Sequence, residues 1–211
     1  MVETSTFGTF LIAAFLLLVI PGPAVMYIVA RGIHQGRLAG MVSALGVGAG
    51  SLVHVAAATV GLSALLVSSA LAFSIVKYAG AAYLIYLGVR TLLQRAEVHR
   101  AAALEPARLG RIFVQGALVN VLNPKTALFF LAFLPQFVDP ARGSATGQTL
   151  VYGVIFTVMG IGSDSAYGLL SGTLGGWLKR QARLFSGQRL VAGAVYLGLG
   201  LATAVADVRR K

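Results

Sequence analysis

Residues 117–137 read ALVNVLNPKTALFFLAFLPQF. From Arg111 to Asp139 the chain is apolar apart from Gln115, Asn120, Asn123, Lys125, Thr126 and Gln136, and its single charge, Lys125, stands near the middle beside Pro124. So long an apolar stretch is a candidate to cross a bilayer, whose hydrocarbon core takes about 20 residues of helix. An ammonium at mid-bilayer costs about 2.5–3.5 kcal/mol on insertion scales. A proline there removes a backbone hydrogen bond where no water replaces it. Both features therefore need other helices or a wet cavity to face.

The rest of the chain fits that solvent. Of 211 residues, 57% are hydrophobic and only 11% charged, and the mean hydropathy is +0.84. Soluble domains carry about a quarter charged residues, so the apolar excess calls for a membrane. Windows of about 20 residues give six candidate spans, at 7–29, 39–67, 70–92, 112–137, 147–175 and 189–207. Their apolar residues show no alternation, which argues for helices rather than a barrel, whose lumen side would be polar at every second position. The expected fold is an all-α integral membrane protein, one transmembrane domain over 1–211. The first span does not read as a signal peptide: Glu3 precedes it, no Lys or Arg does, and Pro21 and Pro23 interrupt it. Without cysteine there is no disulfide, thiolate metal site or cysteine nucleophile. No metal and no cofactor is expected.

The net charge of +11 is placed for topology rather than for nucleic acid. Arg31 and Arg37 follow span one, Arg90, Arg95, Arg100, Arg108 and Arg111 follow span three, and Lys179, Arg180, Arg183 and Arg189 follow span five. These are odd-numbered exits on one side of the membrane. The other side holds Lys77, Arg142, Arg209, Arg210 and Lys211. The positive-inside rule makes the basic loops cytoplasmic and puts both termini outside. These arginines are read as setting orientation and touching anionic lipid headgroups.

The chain also repeats itself. Ala79-Gly80-Ala81-Ala82-Tyr83-Leu84 in span three returns as Ala192-Gly193-Ala194-Val195-Tyr196-Leu197 in span six. Spans one and four are each broken by proline, at Pro21-Gly22-Pro23 and at Asn123-Pro124. Repeat one covers about 1–93, a cytoplasmic connector 94–111, and repeat two 112–211. An odd number of spans per repeat inverts the second copy. Inverted repeats with broken helices in matching places point to a secondary transporter, its site near the midplane between the halves. Pro124 releases the carbonyl of Asn120, and Pro21 and Pro23 release those of Leu17 and Val19. Gly46, Gly50, Gly168, Gly172 and Gly176 recur every fourth residue and are expected to pack helices closely, or to face a second copy in a homodimer.

Asp164 is the one acid inside a span interior, and pairing with Lys125 would offset the desolvation of both. Opened, the pair would admit a zwitterion. Its carboxylate would meet Lys125 and the helix N-terminus formed by Asn123 and Pro124; its ammonium would meet Asp164 and the carbonyls freed around Pro21, Gly22 and Pro23. Asp164 and His54 are candidate carriers of a coupling proton. Lys77 and Tyr83 in span three are further candidates, although Lys77 also fits a side chain snorkelling to the interface.

Pro21-Gly22-Pro23, the run from Lys77 to Gly88 (KYAGAAYLIYLG), and Asn123-Pro124-Lys125 followed by Phe129-Phe130 and Pro135-Gln136-Phe137 resemble the lysine exporter (LysE/RhtB) family of bacterial amino-acid exporters over nearly the whole chain. The resemblance implies efflux of an amino acid or a derivative across the bacterial inner membrane, driven by the proton gradient. Many relatives carry an acid in span two where this chain has Ser51 and His54. Two other classes stay open. An intramembrane serine hydrolase would pair His54 with Ser163 or Ser165, but neither serine lies in Gly-x-Ser-x-Gly. An accessory subunit would dispense with Lys125 and Asp164. A phosphate loop is excluded, since Lys125-Thr126 lacks the glycine that must precede it.

Overall fold

The computed structural model describes residues 4–68 and 105–178, with single helical positions between Ile75 and Leu93 and between Ala194 and Leu201. The described residues form helices and turns, without a strand among them. In chain order these are α1 (Thr4–Val19), α2 (Pro23–Gln35), α3 (Arg37–Ser68), α4 (Leu109–Val121), α5 (Pro124–Leu128) and α6 (Ala145–Leu178). Between α5 and α6 the backbone loosens into a π-helical turn at Phe129–Phe133 and tightens into 3₁₀ turns at Leu134–Phe137 and Pro140–Arg142.

The expected spans at 39–67 and 147–175 lie inside α3 and α6, which have 32 and 34 residues. At 1.5 Å per residue each is about 50 Å long, more than the ~30 Å of hydrocarbon they must cross. Their membrane-compatible stretches are Arg37–Gly61 and Ala145–Leu174. The spans at 7–29 and 112–137 are bent pairs. Thr6–Val19 meets Pro23–Gln35 at 50°, and Leu109–Val121 meets Pro124–Phe137 at 48°. Both bends fall where proline takes away the N–H that would continue the helix. The spans at 70–92 and 189–207, with Lys77 and Tyr83, lie largely outside the described residues. Where they are described they meet: a Cβ on Gly200 would stand 2.7 Å from Ile85 Cγ1 and 3.0 Å from the Ala81 carbonyl.

The bends leave wedges that bulky rings fill. Phe10 from α1, Phe129, Phe130 and Phe133 from the loosened turn, Phe137 from the 3₁₀ turn that follows it, and Tyr152 and Phe156 from α6 belong to one buried cluster. The Phe129 and Phe156 rings stack at 3.9 Å between centroids. On the outer face Ile12, Phe15, Val60, Leu118, Leu122 and Val158 are exposed, a surface that suits acyl chains.

Elsewhere the helices approach to backbone contact. A Cβ on Gly168 of α6 would lie 2.7 Å from the carbonyl carbon of Gly40 in α3. One on Gly46 would collide with the carbonyl of Phe113 in α4, and one on Gly50 would reach 2.5 Å from that of Ala117. Gly172 meets the backbone of Arg37. The glycines that were open to a homodimer face are thus engaged within the chain, except Gly176, whose surroundings are not among those described. Gly168→Val is expected to destabilise the folded protein in detergent by about 1–3 kcal/mol or more, because the obstacle is backbone and cannot yield. Gly162→Val, with nothing within 4 Å, should melt like the parent.

Candidate functional site

Each break in the bent spans is tied by a polar side chain from another helix. At the first, the Val19 carbonyl that Pro23 releases accepts from Tyr167 Oη at 2.7 Å. Its neighbour, the Ile20 carbonyl, accepts from Lys125 Nζ at 2.5 Å. At the second, the Asn120 carbonyl that Pro124 releases accepts from Asn123 N and from His54 Nε2, both at 3.0 Å. Carbonyls that would be costly in oil become acceptors for polar groups of the same chain.

Lys125 therefore joins the two breaks. Its side chain leaves the start of α5, passes over Gly22 and ends on α1's terminal carbonyl, with 9% of the residue exposed. Glycine leaves room beneath it, since a Cβ on residue 22 would lie 3.2 Å from Lys125 Cδ and 3.8 Å from Nζ and would press on the stem. Gly22→Val should push the ammonium off the Ile20 carbonyl and cut transport by about tenfold, the effect of roughly 1.4 kcal/mol, with membrane-inserted protein unchanged on immunoblots.

Around Lys125 the amide of Asn120 organises α3, α4 and α5. Asn120 Nδ2 donates to the Val47 carbonyl and to Ser51 Oγ, each at 2.8 Å. Its Oδ1 accepts from Thr126 Oγ1 at 2.8 Å and from Asn123 Nδ2 at 3.3 Å. Asn123 Oδ1 in turn caps α5 by accepting from Lys125 N at 3.1 Å. All four hydrogen-bonding capacities of the Asn120 side chain are used, so its position is fixed.

These residues enclose a cavity of about 30 Å³ lined by Gly22, Ser51, Asn120, Lys125, Thr126 and Asp164, with Asn123 beside them. Asp164, 6% exposed, comes from the middle of α6. It and Lys125 line the same space without closing an ion pair. The cavity has room for one or two waters, well short of the roughly 300–1,000 Å³ of an ordinary small-molecule site. The site is closed.

Of the residues expected from sequence, Lys125, Asp164, Asn123 and Gly22 meet at the cavity. Pro21, Pro23 and Pro124 shape the breaks and do not line it. The Val19 carbonyl, expected to await an ammonium, is taken by Tyr167, and the α5 N-terminus, expected to await a carboxylate, is capped at Lys125 N by Asn123. His54 lies outside the cavity lining, stacked on Phe130 at 5.9 Å with its Nε2 on the Asn120 carbonyl. It has no hydrogen bond to Ser163 or Ser165 that would make a hydrolase dyad. Asn120, Ser51, Thr126 and Tyr167 were not singled out beforehand. Their signal was faint: Asn120 and Thr126 are polar interruptions of an apolar span, and Tyr167 follows Asp164 by one helical turn.

Comparison with known proteins places this geometry. The family model described as LysE type translocator matches residues 15–206. An uncharacterised membrane protein of Pseudomonas aeruginosa is 32% identical over 208 residues, 96% of each chain. A homoserine/homoserine lactone efflux protein of Salmonella typhimurium is 31% identical over 170 residues, 81% of this chain and 82% of its own. A leucine efflux protein of Enterobacter sp. strain 638 is 33% identical over 136 residues, 63% and 64% of the two chains. No solved structure matches. The chain belongs to the LysE type translocator family, a family of transporters rather than enzymes.

Proposed function

We propose that the protein exports an amino acid or amino-acid derivative across the bacterial inner membrane by proton antiport. Its site would lie at the midplane between two inverted three-helix repeats, with the basic loops in the cytoplasm and both termini outside. The observation that carries this reading is the placing of Lys125: an ammonium bonded to the open end of α1, on a cavity it shares with Asp164. A zwitterion needs those two charges apart and both reachable. The matching order of the described helices, a bent pair followed by a long straight helix in each half, supports the repeat. The small cavity suits a carrier that exposes its site to one side at a time, since admitting an amino acid requires the helices around it to part.

Relatives named for homoserine and for leucine efflux make these two the first substrates to try. The test is efflux of labelled L-homoserine and L-leucine from preloaded proteoliposomes of the purified chain. An inward proton gradient is expected to accelerate efflux of at least one of them, and a protonophore to abolish the acceleration. Efflux no faster than from protein-free vesicles, for both amino acids and under either gradient, would overturn the proposal.

A further inference from the structure

By its place in the sequence Arg31 counts among the loop arginines that set orientation. The structure places it inside α2, which continues past residue 29 to Gln35, and leaves it 3% exposed. Its Nη1 donates to Gln35 Oε1 at 2.6 Å and to the Glu105 carbonyl at 2.8 Å, and its Nη2 donates to Gln115 Oε1 at 2.8 Å. The guanidinium carbon stands 5.7 Å over the centre of the Tyr27 ring. Tyr27 Oη donates to the Ile112 carbonyl at 3.0 Å and to Gln115 Oε1 at 3.3 Å. Gln35 is held by residue 107, whose carbonyl accepts from its Nε2 at 3.0 Å and whose N–H donates to its Oε1 at 3.2 Å.

Among the described residues, every acceptor bonded to this cation is a neutral amide or backbone oxygen. Among the described residues no carboxylate pairs with it; Glu105 offers its backbone carbonyl while its side chain is exposed. The buried Nε–H has no partner at all. A buried charge without a counterion is costly, and a guanidinium binds a carboxylate better than it binds amide oxygens.

Its position gives that unmet charge a use. Ala24 lines the cavity and Arg31 lies seven residues on, two turns along the same face of α2, about 10 Å away at 1.5 Å per residue. Between them Ile28, fully buried, packs with Ala44, Val47 and the partly buried Val119. Two cations thus stand near the two ends of this stretch of α2, with packed apolar side chains between them. Building on the transport reading, we infer that Arg31 is a loading subsite: it takes the substrate's carboxylate at the cytoplasmic end before the carboxylate passes to Lys125. The exchange of acceptors also opens the way. Gln115 and Glu105 belong to α4 and its lead-in, so a carboxylate that displaces them unties α2 from α4 beside these apolar side chains.

The test compares L-homoserine with homoserine lactone, which keeps the ammonium and lacks the free carboxylate, in everted and right-side-out vesicles of cells that make the full chain. Arg31→Gln is expected to raise the half-saturating concentration for homoserine about tenfold at the cytoplasmic face, as loss of a charge-assisted pair would. The opposite face and the lactone should change less than about twofold. Gln115→Glu keeps Arg31 and supplies a permanent carboxylate; it should reproduce the face-selective and carboxylate-selective loss in a protein that melts no lower than the parent. Equal shifts on both faces, equal shifts for the lactone, or no shift with either variant would make Arg31 a structural clasp and overturn the subsite alone. If homoserine is not moved, L-leucine and its methyl ester replace the pair. Vesicles of the parent chain that move none of these overturn the transport reading itself.

Discussion

Lys125→Ala is expected to abolish amino-acid efflux while the protein still inserts. The ammonium has two tasks that alanine cannot share. It satisfies the Ile20 carbonyl at the open end of α1, and among the described residues it is the only cation on the cavity lining. Losing one side of a buried charged contact costs about 2–5 kcal/mol, a roughly 30-fold to several-thousand-fold loss of rate if it falls on the transported state. Arginine is not expected to rescue, because its wider planar fork would have to fit a cavity of about 30 Å³. The measurement is the initial rate of counterflow in proteoliposomes holding matched amounts of each variant. Parental rates in Lys125→Ala would leave the lysine a structural pin and return the accessory-subunit reading to consideration.

The breaks were legible in the sequence because they are local properties. A proline lacks its N–H wherever the chain goes, so Pro21, Pro23 and Pro124 marked the bends before any packing was known. The glycines of spans two and five were legible for a similar reason, since a residue without a Cβ leaves room whatever the neighbour. What packs into that room was not: Gly46 meets Phe113 of α4, and Gly168 meets Gly40 of α3. The energetic cost of burial led to Lys125 and Asp164 together, and they do share a cavity. It did not show that Lys125 would reach a carbonyl of α1 instead of the carboxylate, because that depends on where α1 ends relative to α5. Asn120 was hidden for the same reason: an amide becomes a hub only once α3 brings Ser51 and the Val47 carbonyl to it. The burial of Arg31 was not legible, because a charge count by loop does not say where the helix stops, and α2 runs six residues beyond the expected end of span one.

Asp164→Asn is expected to stop efflux as completely as the loss of Lys125, and to separate the roles proposed for the carboxylate. The exchange keeps volume and hydrogen-bonding shape in a cavity of about 30 Å³, so the fold should persist. What disappears is the negative charge and the site for a proton. No other acid lines the cavity, and His54, the other proton candidate, is outside it with its Nε2 on the Asn120 carbonyl. If the carboxylate meets the substrate's ammonium, homoserine and its lactone, which share that group, should both fail in counterflow, by roughly 30-fold or more. If the carboxylate serves the proton alone, exchange of amino acid for amino acid should survive while acceleration by an inward proton gradient vanishes. Efflux by the Asn variant that still responds to the gradient at the parental rate would remove Asp164 from both roles, and would require the coupling proton to travel by groups that do not face Lys125.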